Sequence, residues 1–213
     1  MKLFLLLATV AFANLSSAQQ AKKYLDEIGK YNEVSGFEDS RYNSMTWQQF
    51  YKLEEANEIV DPANYDFDLM NAAVFFAINK YRESKGLSEL KFNTNLRDAA
   101  AIHSAEMVNR NFFAHENPYN AELKKFYNRI EISGFKGGFS AENISQEYQD
   151  LHNPKSYIQL AEEMIHTLSL SKPHNANMLD KNYTYLGCAL LFDKKSTGND
   201  VWYYRSTQDF GGF

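Results

Sequence analysis

The chain has 213 residues, 44% hydrophobic and 23% charged, with only 10 Gly and 4 Pro, which excludes collagen-like, low-complexity and wholly disordered readings. Lys and Arg total 22 against 27 Asp and Glu, a formal charge of −5; with no excess of cations to displace counterions from a phosphate backbone, nucleic acid is not the expected partner. At ~150 residues per domain this length allows one sizeable core and a lesser segment.

Met1-Lys2, the apolar run Leu3 to Ala13 and the small residues Ser16-Ser17-Ala18 have the charged start, short apolar middle and cleavage site of a secretory signal peptide over residues 1–18. The run falls well short of the ~20 residues that cross a bilayer, and none like it follows, so the mature chain is expected to lack a transmembrane segment. An exported protein, secreted or periplasmic, is therefore predicted. Cys188 is the only cysteine, so no intramolecular disulfide can form and stability must come from the core. Its alternating context reads as a small buried hydrophobe.

Residues 19–66 are polar and weakly periodic, broken by Asp61-Pro62-Ala63-Asn64, and read as an N-terminal extension of one or two short helices. The main domain, residues 67–213, follows. Met70, Val74, Ala77, Ile78 and Tyr81 mark one helical face, capped by Asp66 or Asp68 and ended by Gly86. Leu87 to Phe92 reads as a connector. Asn95 is the predicted cap of a second helix with the stripe Leu96, Ala99, Ala100, His103 and Met107, which stops near Asn111. A strand is expected over Phe135 to Ser145. Asn153-Pro154 predicts the start of a third helix, with Tyr157, Ala161, Met164, Ile165 and Leu168 inward and Pro173 at its end. Thr184 to Phe192 is apolar on both alternating sides, as in a strand covered on both faces. The Gly198-Asn199 turn and Val201 to Thr207 complete a hairpin. Helices that cover both faces of such a sheet give a layered α+β class.

The chain lacks a G-x-S-x-G elbow, a P-loop, an H-E-x-x-H helix and paired cysteines. What stands out is polar residues at element junctions: His115 in Phe113-Ala114-His115, Glu142 in Glu142-Asn143-Ile144, and His174 in Ser171-Lys172-Pro173-His174. Spacing alone does not bring them together. His103, on an apolar stripe, reads as a satisfied buried histidine, His166 as exposed, and His152 as a loop residue. Gln208 reads as structural within the sheet, and Asn143 and Asn177 as polar lining.

Together with Asn79-Lys80-Tyr81-Arg82, Gly86-Leu87, the Ala99-Ala100 helix and Thr207-Gln208 with Phe210-Gly211, these motifs fall in an order that resembles the CAP superfamily. That superfamily, whose unit is the SCP domain, comprises cysteine-rich secretory proteins, antigen 5 and pathogenesis-related proteins; the likeness is to its bacterial branch and covers roughly residues 69–213. It implies a three-layer α-β-α sandwich with a central antiparallel sheet and a surface cleft holding His115, Glu142 and His174. In several relatives the cleft carries a divalent metal, often zinc, so the resemblance implies His115 and His174 as metal ligands and Glu142 as a third. Three departures stand out: Ala141 for the usual Gly before the Glu, Leu168 for a Trp, and Ser171 where many eukaryotic members have a further Glu.

Two functions compete. One is a binding or interaction module whose cleft takes a small molecule, lipid, peptide or cell-envelope ligand without chemistry, consistent with the absence of a recognisable nucleophile-and-base pair. The other is a divalent-metal-dependent hydrolase, a peptidase among the options, using His115, His174 and Glu142. A third, structural reading has Glu142 tying its strand to a helix through hydrogen bonds.

Overall fold

In the computed structural model the described residues are 17–28, 36–193 and 200–213. The signal peptide, apart from its last two residues, and the Gly198-Asn199 turn lie outside them. Where one or two short helices were expected, the described residues up to 66 form four: α1 (Ser17–Ile28), α2 (Asp39–Tyr42), α3 (Trp47–Phe50) and α4 (Glu54–Asn57). Phe37, Tyr42 and Phe50 join Phe75, Phe76 and Phe92 in the main hydrophobic cluster, so residues 36–66 share a core with the chain that follows.

Helix α5 (Phe67–Ser84) starts where Asp66 accepts a hydrogen bond from the Leu69 amide at 3.0 Å, satisfying an otherwise orphaned donor. The connector contains a two-residue strand, β1 (Lys91–Phe92). Helix α6 (Thr94–Asn109) is capped by Asn93, not Asn95: the Asn93 side chain accepts from Leu96 N at 3.2 Å. The chain is still extended at Asn93, which is the conformation a cap requires, whereas Asn95 already lies inside the helix.

Helix α7 (Phe126–Ser133) was not anticipated, and it takes the position just before the expected strand, which instead runs as β2 (Phe139–Asp150). Gly134 ends α7 at φ 93°, a left-handed C-cap that favours glycine. Helix α8 (Tyr157–Leu170) opens on a reciprocal capping box between Ser156 and Gln159, three residues later than Asn153-Pro154 predicted. Pro173 does not end it. It sits in the first turn of α9 (Lys172–Leu179), where a missing amide costs nothing.

Strands β3 (Tyr185–Phe192) and β4 (Val201–Gly212) complete a four-stranded sheet in the order β1-β3-β4-β2. All pairings are antiparallel except the short β1 with β3, which is parallel and so amends the purely antiparallel expectation. Helix α6 presses on one face so closely that a Cβ on Gly187 would lie 1.9 Å from the Arg97 amide nitrogen. The Ser104 hydroxyl bonds Thr207 at 2.8 Å on that face. On the other face Gln208 reaches Met164 of α8, and Asn143 reaches the His174 carbonyl of α9. With α6 and α7 on one side and α5, α8 and α9 on the other, the protein is a three-layer α-β-α sandwich of the α+β class.

Candidate functional site

Glu142 lies in β2, and its side chain leaves the sheet on the α6/α7 side. It is 6% exposed as a residue, so its charge requires partners. His115, in the loop between α6 and α7, places Nδ1 2.8 Å from Oε1, and Arg129 of α7 donates from Nη2 to Oε2. An ionised carboxylate only accepts, so the His115 Nδ1 carries the proton and Nε2 is the acceptor of the neutral ring. The ring is about half exposed, so that free nitrogen is available to a partner in solvent.

Arg129 is fully buried and knits the loop to the sheet. Besides Glu142 it donates to the carbonyls of Leu123 (2.7 Å), Lys124 (3.3 Å) and His115 (3.1 Å). Asn117 organises the same loop, accepting from the amides of Tyr119 and Asn120 while its own amide reaches Glu106. Nothing in the sequence reading singled out Arg129. The signal was nonetheless there: with Ile130 and Ser133 it occupies the buried face of α7, an unusual place for an arginine without a buried anion.

Burial pushes the Glu142 carboxyl up, but the hydrogen bond from His115 and the charge and hydrogen bond of Arg129 outweigh it and hold the group below the usual carboxylate range. His103 comes within 4.0 Å of Glu142, yet burial lowers it to about 4, so it is neutral at physiological pH and the contact is not an ion pair. Its Nε2 donates to the Ala114 carbonyl at 3.0 Å, while Nδ1 has no partner; the expected satisfied histidine is satisfied on one side only.

A cleft of about 410 Å³ opens over this dyad, walled by His115, Lys125, Tyr127, Ser140, Glu142 and Asn177. His174 stands in the first turn of α9 and does not line it. Its carbonyl accepts from Asn143, whose side chain leaves β2 on the face opposite Glu142, and no hydrogen bond joins its ring to His115 or Glu142 among the described residues. Burial lowers the His174 imidazole, and proximity to the His115 ring, which would repel a second positive charge, acts in the same direction. The contribution of α9 to the cleft is Asn177, which also bonds Asn143 at 2.9 Å. His166 is exposed, and His152 is an exposed loop residue paired with Asp200 at 2.9 Å.

The donor set does not fit the divalent ion implied by the resemblance. The buried Arg129 guanidinium already neutralises the Glu142 charge, and His174 neither lines the cleft nor hydrogen-bonds through its ring to His115 or Glu142 among the described residues. Among the described residues no three His, Cys, Asp or Glu side chains are placed to hold a metal together. What the dyad can do is accept a proton or a hydrogen bond at His115 Nε2 with Glu142 fixing the tautomer. Among the described residues no hydroxyl or thiol is hydrogen-bonded to that ring.

The model of the cysteine-rich secretory protein family, CAP, matches residues 75–210. Among solved structures, an extracellular protein containing an SCP domain from Bacillus anthracis is similar at a TM-score of 0.54 and 21% identity, covering 73% of this chain and 45% of that one. The chain thus spans less than half the length of that relative. An outer surface protein from Borrelia burgdorferi is similar at a TM-score of 0.52 and 11% identity, covering 73% of this chain and 98% of that one. Both likenesses concern the fold. No curated protein matches the chain. Among the described residues no helix is long and apolar enough to cross a membrane.

Proposed function

Because the chain belongs to the cysteine-rich secretory protein family, CAP, we propose that it is an exported binding module whose His115–Glu142 cleft takes a ligand without transforming it. The observation that carries this reading is the double commitment of Glu142, to His115 through one oxygen and to Arg129 through the other. Glu142 is thereby held as a positioning group for the His115 ring, and among the described residues no hydroxyl or thiol is hydrogen-bonded to that ring as a nucleophile. The cleft is instead shaped to recognise. It offers an acceptor at His115 Nε2, amide groups at Asn177, a hydroxyl at Ser140 and the exposed ring of Tyr127. Arg129 is paired with Glu142, and Lys125 shares Glu116 with Lys124, so much of the wall charge is already paired and a ligand with a donor for His115 is favoured. The N-terminal signal and the extracellular and surface proteins of similar fold support export.

Calorimetric titration with Zn²⁺, combined with turnover assays on peptide and ester substrates, tests the reading. No one-to-one zinc site and no His115-dependent turnover are expected. A tight site lost in both His115→Ala and His174→Ala, or a hydrolysis lost in His115→Ala, would replace the binding module by the metal-dependent hydrolase.

A further inference from the structure

Strand β2 is an outer strand of the sheet: in the order β1-β3-β4-β2 only β4 pairs with it. Its residues match β4 one for one from Phe139↔Gly212 to Asp150↔Val201, so no bulge interrupts the edge. The Leu151 amide donates to the Asp200 carbonyl at 2.7 Å in the same register, and this sets the alternation. Backbone groups of the odd-numbered residues face β4, and those of Ser140, Glu142, Ile144, Gln146 and Tyr148 face outward. Among the described residues no backbone group pairs with this outer row, and the side chain that reaches it is Asn177, whose amide donates to the Glu142 carbonyl at 3.5 Å. Past Ile144 the edge opens, with Gln146 and Tyr148 exposed.

An open edge is normally guarded by proline, by lysine or by a bulge, because its free amides and carbonyls template another strand. Residues 139–150 contain no Pro, Gly, Lys or Arg. They carry acids instead. Arg129 answers Glu142, but Glu147 and Asp150 in the open half have no ion-pair partner among the described residues. Lys155, whose charge bears on Glu147, is already paired with Glu163. On the α8 side of the strand three successive side chains are short of donors: Ser145 Oγ, Glu147 Oε1 and Gln149 Oε1 are buried without a hydrogen-bond partner.

We propose that the open edge of β2, from Ile144 to Asp150, is a docking site for an extended segment of another polypeptide with Lys or Arg at alternate positions. The segment adds to the sheet as a further strand. Its backbone pairs with the outward groups of Ile144, Gln146 and Tyr148, and its cationic side chains stand beside Glu147, where they supply the missing donors and charge. A second copy of this chain does not meet that description, because β2 set against β2 brings acids together with no base in either strand. The surface lies along β2 beyond the cleft and does not depend on whether the cleft binds or hydrolyses its ligand.

Fluorescence anisotropy of a labelled, end-capped peptide of alternating Val and Lys, titrated with the full chain, tests the assignment. Saturable one-to-one binding is expected, about tenfold or more tighter than for the same peptide with Glu in place of Lys. Tyr148→Pro removes an outward amide and no bond to β4, so the fold should survive it while the affinity falls about tenfold. Tyr148→Ala, which keeps the amide, should bind far better than Tyr148→Pro, and Glu147→Gln should narrow the preference for Lys over Glu. No binding of the Lys peptide, equal affinity for the Lys and Glu peptides, or undiminished binding to Tyr148→Pro would overturn the proposal. So would a dimer of the full chain, seen by analytical ultracentrifugation, that Tyr148→Pro breaks. Should Tyr148→Pro fail to fold, a Val–Lys peptide N-methylated at alternate residues removes the same ladder from the other side, and its unchanged binding to the wild type would be equally fatal.

Discussion

Arg129 and His115 both bind Glu142, but their surroundings make them unequal. Arg129 is buried and supplies donors to three loop carbonyls as well as to the carboxylate. Its removal leaves Glu142 as a buried anion without its cation, a class of change that costs about 3–5 kcal/mol. His115 is half exposed, and water can replace its hydrogen bond, so its loss costs about 1 kcal/mol. Urea unfolding of Arg129→Ala and His115→Ala should reproduce that order, and equal losses would mean that the guanidinium is not what holds the loop. Glu142 itself was legible, a lone acid beside Asn143-Ile144 in a strand-forming run. Arg129 was not, because in Tyr127-Asn128-Arg129-Ile130-Glu131 a charge reads as surface until the helix is recognised and its buried stripe counted. Asp209 was hidden for a related reason: Val201 to Thr207 stopped the predicted strand two residues before it, so its alignment with Glu142 could not be seen.

At the scale of elements, long periodic signals translated faithfully, while caps and the weaker strand signal were displaced by two to five residues. Helices α5, α6 and α8 and strands β3 and β4 stand where the apolar spacing put them, because burying a stripe against the sheet fixes both period and phase. The caps moved for local reasons, since Asn93 and Ser156 rather than Asn95 and Asn153 are still extended where the first helical amides need an acceptor. The short helix α7 carries too few residues for its period to show, and Gly134, its cap, read equally well as the start of a strand. Gly187 carries a constraint of its own. It lets the backbone of α6 lie directly on β3, and a methyl group there would sit 1.9 Å from the Arg97 amide nitrogen and 2.2 Å from the Leu96 carbonyl carbon. Neither is the end of a flexible side chain, so α6 as a whole must move. Gly187→Ala should therefore destabilise by more than the ~1–3 kcal/mol of ordinary overpacking and should disturb the site through Leu96, Ala99 and His103 on that helix. Thermal unfolding together with the imidazole signals of His103 and His115 would check it; a near-neutral stability with unmoved signals would show that α6 has room to shift.

For the molecule as a whole, the layered design places ionisable groups between α6, α7 and the sheet, and this gives stability a pH dependence whose sign is definite for each group. Burial lowers His103 to about 4 from an ordinary value of 6.5, so between those values the unfolded chain binds a proton that the folded chain refuses. Stability from this group is complete above the unfolded value and is lost as the pH falls from 6.5 towards 4. With His103 fully buried the loss amounts to about 3 kcal/mol. Glu142, held below its ordinary 4.5, adds a further loss at still lower pH as it is forced to accept a proton. Asp209, raised well above its ordinary value by burial and the adjacent Glu142 charge, works in the opposite sense from its unfolded value upward and so opposes the His103 trend across the same interval. The exposed His152, drawn up by Asp200, lies outside this layer, and its contribution, opposite in sign to that of His103, is weakened by solvent screening. Chemical unfolding at pH 7 and pH 5 should accordingly show that His103→Gln, which can still donate to the Ala114 carbonyl but cannot charge, shifts its midpoint at pH 5 upward relative to pH 7 when compared with the wild type. Midpoints that stay as far apart in the variant as in the wild type would place the acid sensitivity elsewhere than at the buried imidazole of α6.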